Sequence, residues 1–505
     1  MIALDGNRLT IPDFHKIVFG RTEVQLDPKA LTLMQKSRGH VEKAIQTGES
    51  IYSINTGFGV LSNVRIPPES LDELQVNLIR SHSVGIGPLH SEEESRGLLL
   101  LRANVLAKGY SGVRPLIVET LCQMLNKGVH PCIPSKGSVG ASGDLAPLAH
   151  LALVLIGEGV AMYDGKKISG AEAMKKAGIT PVKLQPKEGL SLINGTQQMT
   201  ALGAILIARG EALVDEADLI CSASLDGTLG TSAAFEKWLH EVRPHEGQLK
   251  SAANLEKFCK DSEVSKSHED CGKVQDAYSF RCTPQVHGAC RDLLASARKT
   301  IEVELNAATD NPLVNPDTGE IVSGGNFHGQ PVAFALDIIG MAISEISSIA
   351  ERRISKLMDP NFSELPAFLV KNEGLNSGLM MAQVTAAALV SENKLLTHPA
   401  STDSIPTNNE KEDHVSMGPW AARKAKSILE STEYVLSIEA IAACQALEFR
   451  KPLKPNRGAR LLMTWLRKMV PPMEKDRILS TDVEAIAAKL KTGDLEQTMR
   501  KEFSK

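Results

Sequence analysis

A loop of small residues at 137–144, which reads G-S-V-G-A-S-G-D, runs directly into an apolar helical pattern. Leucines at 145–155 recur at steps of three and four and predict a helix, with Asp144 at its N-cap position and Pro147 in its first turn. The pattern alone permits either a capped tight turn or an anion cradle, where the free N–H groups of a helix N-terminus attract negative charge. The glycines are spaced G-x-x-G-x-x-G and Lys136 precedes them, so neither nucleotide-binding fingerprint fits and a phosphate site has little support.

Six other loops carry side chains suited to acid–base chemistry or to substrate binding. The candidates are Tyr52, His82, Asn194, Gln275, Tyr278, Arg281, Phe327 and Glu412. By residue type alone most have an ordinary structural explanation, such as a half-buried tyrosine, a histidine near a helix end, an Asn-Gly turn or a solvated run of charges. Arg281 is better motivated, because a guanidinium holds a carboxylate bidentately. No metal site is predicted, since the sequence lacks H-E-x-x-H, and no motif of a hydrolytic nucleophile occurs.

Helical patterns dominate the rest of the chain, so helices must hold these loops in place. Apolar stripes extend over residues 335–358, 379–396 and 428–447, and several long stripes indicate packing into one extended bundle. Hairpin patterns at 4–9 and 162–166 predict a few short strands. We therefore expect a mainly α protein. We expect residues 1–195 to form an N-terminal domain with the glycine-rich loop and the short strands, and residues 196–505 to form a long helical bundle and C-terminal helices.

The composition limits the partners that the protein can have. Its 505 residues include 56 Lys and Arg against 60 Asp and Glu, a net charge of −4, which gives no electrostatic reason to bind nucleic acid or an anionic membrane. The N-terminus lacks the pattern of a secretory signal, and no apolar run approaches the length of a bilayer span. The eight cysteines include no C-x-x-C pair and are interpreted as reduced thiols. We expect a soluble, cytoplasmic protein.

The triplet A-S-G within G-S-V-G-A-S-G-D-L-A-P-L-A-H resembles the signature of the aromatic amino acid ammonia-lyases. The resemblance implies that Ala141-Ser142-Gly143 cyclises and loses water to form 4-methylidene-imidazol-5-one (MIO), an electrophile made autocatalytically from the backbone. In that chemistry the Gly143 nitrogen attacks the Ala141 carbonyl, so neither residue can be bulky, and the Ser142 hydroxyl leaves to give the methylidene. A helix N-terminus next to the ring would place partial positive charge beside it.

The loop at 52–59 is similar to the family motif Y-G-x-N-T-G-F-G, with Ser53 in place of the usual glycine. The resemblance implies that Tyr52 is the base that removes a β-proton from the substrate. A phenol has an ordinary pKa of about 10, so this role requires positive potential or hydrogen bonds that favour the phenolate.

Three further motifs supply binding residues by the same resemblance. Asn194 lies in N-G-T, Phe327 lies in G-G-N-F-H, and Gln275, Tyr278 and Arg281 lie in K-V-Q-D-A-Y-S-F-R-C. The resemblance implies that Asn194 and Arg281 hold the substrate carboxylate. Gln275 and Tyr278 would line the site, with Tyr278 near the MIO ring and Phe327 packed over the substrate.

Two motifs favour histidine as the substrate within this family. His82 lies in S-H and Glu412 lies in E-D-H-V-S-M, and both motifs are typical of the histidine-specific members, although Gln330 stands where some of those carry Glu. A carboxylate beside a bound imidazole accepts its ring N–H, whereas a phenyl ring would leave Glu412 desolvated and unpaired. The resemblance thus implies conversion of L-histidine to trans-urocanate and ammonia, the first step of histidine degradation. The division of base duty between Tyr52 and Glu412 stays open.

Other functions also stay open at the level of the sequence. Some tyrosine aminomutases share S-H-S, so a tyrosine or phenylalanine lyase or aminomutase with the same MIO group is the main alternative, and a non-catalytic helical scaffold is another. The intact triplet, Tyr52 and Arg281 argue against the scaffold. The resemblance further implies a fumarase/aspartase-like fold and a homotetramer whose active sites combine loops of more than one subunit, which exposed apolar stripes would fit.

Overall fold

The computed structural model describes residues 1–47 and 54–503 and consists mainly of α-helices. The helices are α1 (Ile11–Val18), α2 (Pro28–Thr47), α3 (Leu71–His82), α4 (Glu92–Ala107), α5 (Pro115–Asn126), α6 (Leu145–Leu155), α7 (Gly170–Lys176), α8 (Glu188–Ile193), α9 (Gln197–Gly227), α10 (Lys237–Glu241), α11 (Glu246–Phe258), α12 (Glu263–Lys266), α13 (Tyr278–Arg281), α14 (Thr283–Glu304), α15 (Gln330–Met358), α16 (Pro360–Ser363), α17 (Met380–Leu396), α18 (Gly418–Phe449), α19 (Arg457–Leu466), α20 (Ser480–Lys491) and α21 (Asp494–Phe503). The mainly α fold class is confirmed, and the three predicted apolar stripes correspond to α15, α17 and α18.

Within residues 1–47 and 54–503, short strands form four small sheets. The strands are β1 (Ile2–Leu4), β2 (Val24–Leu26), β3 (Ile86–Leu89), β4 (His130–Pro131), β5 (Pro134–Lys136), β6 (Val160–Tyr163), β7 (Lys166–Ser169), β8 (Leu313–Val314) and β9 (Ile321–Val322). β1 pairs with β2 in parallel, whereas β3–β5, β4–β6–β7 and β8–β9 are antiparallel. Three of these sheets lie within residues 1–169, and the β8–β9 sheet lies at residues 313–322.

One of the two predicted hairpins forms and the other does not. At 162–166 Tyr163 pairs with Lys166, and Asp164 and Gly165 adopt φ of 48° and 71°, as a two-residue type I′ turn requires. The hairpin predicted at 4–9 is wrong, because β1 pairs with the distant β2. There the Asp5 carboxylate accepts the backbone N–H groups of Asn7 and Arg8, at 2.9 and 3.2 Å, which makes an Asx turn that leads away from the strand.

Contacts divide the chain into two compact units that interleave along the sequence. The first unit comprises residues 1–205, 298–337 and 399–423, and the second comprises residues 206–297, 338–398 and 424–505. The first has a small apolar cluster of Val41, Ile54 and Val314. In the second, Phe235 and Phe280 pack with Cys221, Leu225 and Leu255. The sequence predicts two domains that are each continuous in sequence and meet at residue 195, and this division stays a prediction.

Helix α15 is long and apolar enough to cross a membrane by length and composition. However, 72% of its most apolar window is buried inside the protein, and Leu336, Ile339 and Ile343 are completely enclosed. A core helix of a globular protein has this pattern, so the apolar stripe of α15 is accounted for by internal packing.

Candidate active site

A cavity of about 990 Å³ opens in the first unit, and every residue that lines it belongs to that unit. The structure brings together six of the residues singled out in the sequence: His82, Ala141, Ser142, Asn194, Phe327 and Glu412. They come from segments far apart in the chain, at the ends of α3 and α8 and before α6, α15 and α18. Apolar, amide and charged groups therefore converge on one space, as in small-molecule sites.

The backbone of the Ala-Ser-Gly triplet is fixed by a close contact with Gly195. Gly143 has φ of 73° and forms a parallel bridge with Gly195, and a Cβ added at Gly143 would lie 2.2 Å from the Gly195 oxygen. The next amide, of Asp144, donates to that same oxygen at 2.6 Å. Position 143 thus excludes any side chain on both conformational and steric grounds.

Asp144 does more than occupy the N-cap position of α6. The residue is completely buried, and its Oδ2 accepts the backbone N–H groups of Gln198 and Met199 at 2.8 and 3.1 Å. Both donors lie in the first turn of α9, so the carboxylate caps α9 rather than its own helix. Burial raises the pKa of Asp144 to about 7, against the lowering effect of the two N–H donors. The triplet is therefore tied to the start of two helices.

His82 ends α3 with its ring in one defined tautomer. The Nδ1–H donates to the Leu78 carbonyl oxygen at 2.9 Å, which leaves Nε2 as an acceptor in the neutral ring. Burial lowers the pKa of His82 below its ordinary value, although the Leu78 bond and the negative charge of Glu412 act in the opposite direction. His82 therefore presents a neutral imidazole acceptor at neutral pH.

Glu412 places a carboxylate beside the triplet. Its Oε1 lies 3.4 Å from the Ser142 hydroxyl oxygen, and its Oε2 accepts the Thr407 hydroxyl at 2.7 Å. Glu412 and Ser142 are both half-buried. The cavity thus holds a negative charge within reach of a group bound next to the triplet.

Asn194 joins the cavity to a buried cation. Its Nδ2 donates to the Asn311 carbonyl at 3.1 Å, and its own carbonyl oxygen accepts Nη1 of Arg102 at 3.0 Å. Arg102 is fully buried, and burial lowers its pKa to about 10, which still leaves it charged at neutral pH. A positive charge therefore lies directly behind the backbone that supports the triplet.

Gln275, Tyr278 and Arg281 are not among the described residues that line this cavity. Gln275, Tyr278 and Arg281 belong to the second unit, where the side chain of Tyr278 is 71% exposed and the Arg281 guanidinium carbon lies 4.6 Å above its ring. Tyr52 lies outside the described residues. Gln330 donates through Nε2 to the Ser401 carbonyl oxygen at 3.2 Å. Its side chain therefore contacts the segment around Ser401, and it is not among the residues that line the cavity.

Sequence reasoning missed several residues that line the cavity, among them Asn311, His328, Asn408 and His414. The rings of His328 and His414 stack with centroids 5.9 Å apart, and His328 Nε2 lies 3.2 Å from the His414 carbonyl oxygen. Both histidines were visible as the last letters of G-N-F-H and E-D-H, one and two positions from singled-out residues. Asn311 gave no such signal, because Asp-Asn-Pro is an ordinary turn sequence.

The comparisons with known proteins agree over the whole chain. A model of the family described as aromatic amino acid lyase matches residues 9–468. The chain belongs to the aromatic amino acid lyase family. This membership confirms the prediction of a carbon–nitrogen lyase.

Several similar proteins carry histidine-specific names. The lyase is 51% identical to the histidine ammonia-lyase of Koribacter versatilis over 99% of both chains, and 50% identical to that of Myxococcus xanthus over 99% of this chain and 98% of that one. Among solved structures, tyrosine aminomutase from Streptomyces globisporus has a TM-score of 0.94 at 38% identity, covering 99% of this chain and 98% of that one. Histidine ammonia-lyase from Trypanosoma cruzi has a TM-score of 0.91 at 40% identity, covering 99% and 95%.

Lyases of this family in general use MIO, and the triplet of this lyase fits the chemistry that forms it. Gly143 has the left-handed φ and the lack of space that admit only glycine, and Ala141 is small and nearly buried. Ser142 lines the cavity and directs its hydroxyl toward a carboxylate. The residues that would make the group are therefore arranged where a substrate would meet it.

Proposed function

We propose that this lyase removes ammonia from L-histidine to give trans-urocanate, the reaction that opens histidine degradation. The observation that carries the proposal is the carboxylate of Glu412 in the cavity, 3.4 Å from Ser142. Relatives at about half identity over the full chain, each named histidine ammonia-lyase, support the same substrate.

Ala141-Ser142-Gly143 is the proposed source of MIO, formed autocatalytically. The group supplies an electrophile for the substrate's amino group. The tight contact of Gly143 with Gly195 supports this, because it holds the backbone of the triplet in one conformation before any bond forms. The start of α6 adds partial positive charge at the same place.

The imidazole ring of the substrate is proposed to lie between His82 and Glu412. Both groups accept hydrogen bonds, since Nδ1–H of His82 is already bonded to Leu78. A neutral histidine side chain supplies one N–H donor, and the protonated ring supplies two, so the protonated ring pairs both acceptors. A phenyl or phenol ring would leave at least one of the two acceptors unpaired inside the cavity, which is costly for a carboxylate. The polarity of the cavity therefore favours histidine over phenylalanine or tyrosine.

Asn194 and Arg281 are proposed to hold the substrate carboxylate, and Gln275 and Tyr278 to line the site. The last three belong to the second unit, and Gln275 and Tyr278 are exposed there. We propose that they enter the cavity of another subunit in a homotetramer. This arrangement accounts for an exposed tyrosine that is stacked on a half-buried arginine.

Helix α17 supports an assembly of several subunits. Of its 17 residues only Ala386, Val390 and Asn393 are buried, while Met381 and Val384 remain 64% and 47% exposed. An apolar helix with so little coverage exposes surface of the kind that subunit interfaces use.

Tyr52 is the proposed base for the β-proton, a role that rests on the family motif and not on the described residues.

The eight cysteines are all free thiols, which supports a reducing compartment and hence the cytoplasm.

The experiment that tests this function is a urocanate absorbance assay on the purified protein with L-histidine, with Ser142→Ala in parallel. Urocanate should form with the wild type and be nearly absent with the variant, because alanine has no hydroxyl to lose. Intact mass should show the water lost from the triplet only in the wild type. A dehydrated protein that leaves histidine unchanged but converts tyrosine would instead establish the tyrosine aminomutase or lyase alternative, which the likeness to tyrosine aminomutase favours as second candidate.

A further inference from the structure

The side chain of Thr407 holds one oxygen of the Glu412 carboxylate. The Thr407 hydroxyl donates to Oε2 of Glu412 at 2.7 Å. The backbones of the two residues are also hydrogen-bonded to each other. The Thr407 N–H donates to the Glu412 carbonyl oxygen at 3.0 Å, and the Glu412 N–H donates to the Thr407 carbonyl oxygen at 3.3 Å. Thr407 is itself not among the residues that line the cavity.

The chain between these two residues makes an unusually tight loop. Asn408, Asn409 and Glu410 have φ of 52°, 50° and 62°, three left-handed residues in succession. Non-glycine residues rarely enter this region because it strains their backbone, and asparagine is among the side chains that tolerate it best. The loop also packs closely on Gly59, because a Cβ added there would collide with the side chain amide of Asn408. The conformation brings Thr407 directly opposite Glu412.

The bond to Thr407 determines which oxygen of Glu412 faces the cavity. The last torsion of a glutamate side chain is broad and roughly two-fold, so an unrestrained carboxylate rotates freely. Because Oε2 accepts a charge-assisted hydrogen bond from Thr407, the other oxygen, Oε1, faces Ser142 at 3.4 Å. The bond to Thr407 therefore lowers the conformational entropy that the Glu412 side chain loses when the substrate binds.

We propose that Thr407 is a positioning residue, whose hydroxyl aims Glu412 at the imidazole ring of the substrate. The proposal rests on the proposed function, since it assigns Glu412 to that ring. Thr407 does not line the cavity, and in this proposal it acts only through the Glu412 carboxylate.

The test compares Thr407→Val, which keeps the shape and removes the hydroxyl, with Thr407→Ser, which keeps the hydroxyl. Loss of one hydrogen bond to a charged group should lower kcat/KM for L-histidine roughly tenfold in T407V, while T407S stays close to the wild type. The matched control is Thr402→Val in the same segment, whose hydroxyl donates to the Pro399 carbonyl and which should have no effect. Thr407→Ala is a second variant without the hydroxyl, for use if T407V does not fold.

A double-mutant cycle separates positioning from mere support of the loop. In the Glu412→Gln background the Thr407→Val change should have little further effect on kcat/KM, because its action runs through the charged carboxylate. An equal loss in both backgrounds, or a T407V enzyme as active as T402V, would overturn the proposal while the wild type still makes urocanate. A wild type that makes no urocanate from histidine would instead count against the proposed function.

Discussion

At the scale of single residues, His82 and Glu412 differ in charge but offer the same kind of contact. His82 is neutral with Nε2 as an acceptor, because Nδ1–H is bonded to Leu78 and burial disfavours the imidazolium. Glu412 contributes a negatively charged hydrogen-bond acceptor to the wall of the same cavity. Two acceptors match a ligand ring that carries N–H donors, and this match distinguishes imidazole from phenyl without any difference in cavity size.

The role of His82 predicts both a titration and a kinetic effect. Nuclear magnetic resonance should find its imidazole pKa below the ordinary 6.5, so that the ring stays neutral as the pH falls through 6.5, where a free histidine is already half protonated. His82→Gln, which retains an acceptor, should keep most of the kcat/KM for histidine, while His82→Leu should lose roughly tenfold. Equal kinetics for the two variants would show that the acceptor is not used.

At the scale of elements, the first turns of α6 and α9 form the support of the triplet. Asp144 precedes α6 yet bonds to the N-terminal amides of α9, and Gly195, just before α9, contacts Gly143. Gly195 is enclosed from the opposite side as well, since a Cβ there would lie 2.5 Å from Nη1 of Arg102 and from the Thr309 oxygen. The backbone at Gly195, which supports the triplet, is thus packed too tightly to admit a side chain.

This close packing predicts that Gly195→Ala impairs formation of the electrophile itself. The added methyl group must push the 194–196 backbone away from Arg102 or from Gly143, and either shift releases the triplet from its fixed conformation. Intact-mass measurement should show a large fraction of G195A protein without the loss of water. The control is Gly39→Ala in α2, where an added Cβ meets nothing within 4 Å. Complete dehydration in both variants would contradict this account of the support.

At the scale of the whole molecule, the residues proposed to act together fall into two groups. The triplet, His82 and Glu412 belong to the first unit, whereas Tyr278 and Arg281 belong to the second. If active sites combine the two groups from different subunits, a defect in one group can be complemented by a subunit with a defect in the other.

Co-expression of Ser142→Ala and Arg281→Ala subunits should therefore produce urocanate faster than either variant alone, because some sites in the mixed assembly combine an intact triplet with an intact arginine. The matched control pairs Ser142→Ala with Glu412→Gln, two defects in the same cavity, and should give no gain. Light scattering of the purified mixture would establish that the subunits are assembled. Absence of a gain in the first pair, in an assembled mixture, would count against shared sites.

Local patterns predicted much of this molecule, and long-range contacts account for what they missed. The apolar stripes of α15, α17 and α18 and the turn at Asp164 depend on neighbours in sequence, so the sequence was sufficient for them. The pairing of β1 with β2 joins residues 22 positions apart, and the bond from Asp144 to Gln198 of α9 joins residues 54 positions apart. Asn311 and His328 entered the cavity for the same reason: their position depends on how distant segments pack.

We propose that the carboxylate of Glu412 selects the imidazole of histidine in this cavity. The decisive comparison is between the kcat/KM for L-histidine of Glu412→Gln and that of Asp413→Asn, which changes a neighbouring carboxylate that also lines the cavity. Loss of a charged hydrogen bond to the substrate should reduce the value roughly a hundredfold in E412Q and leave D413N close to the wild type. An E412Q enzyme as efficient as D413N would contradict the claim.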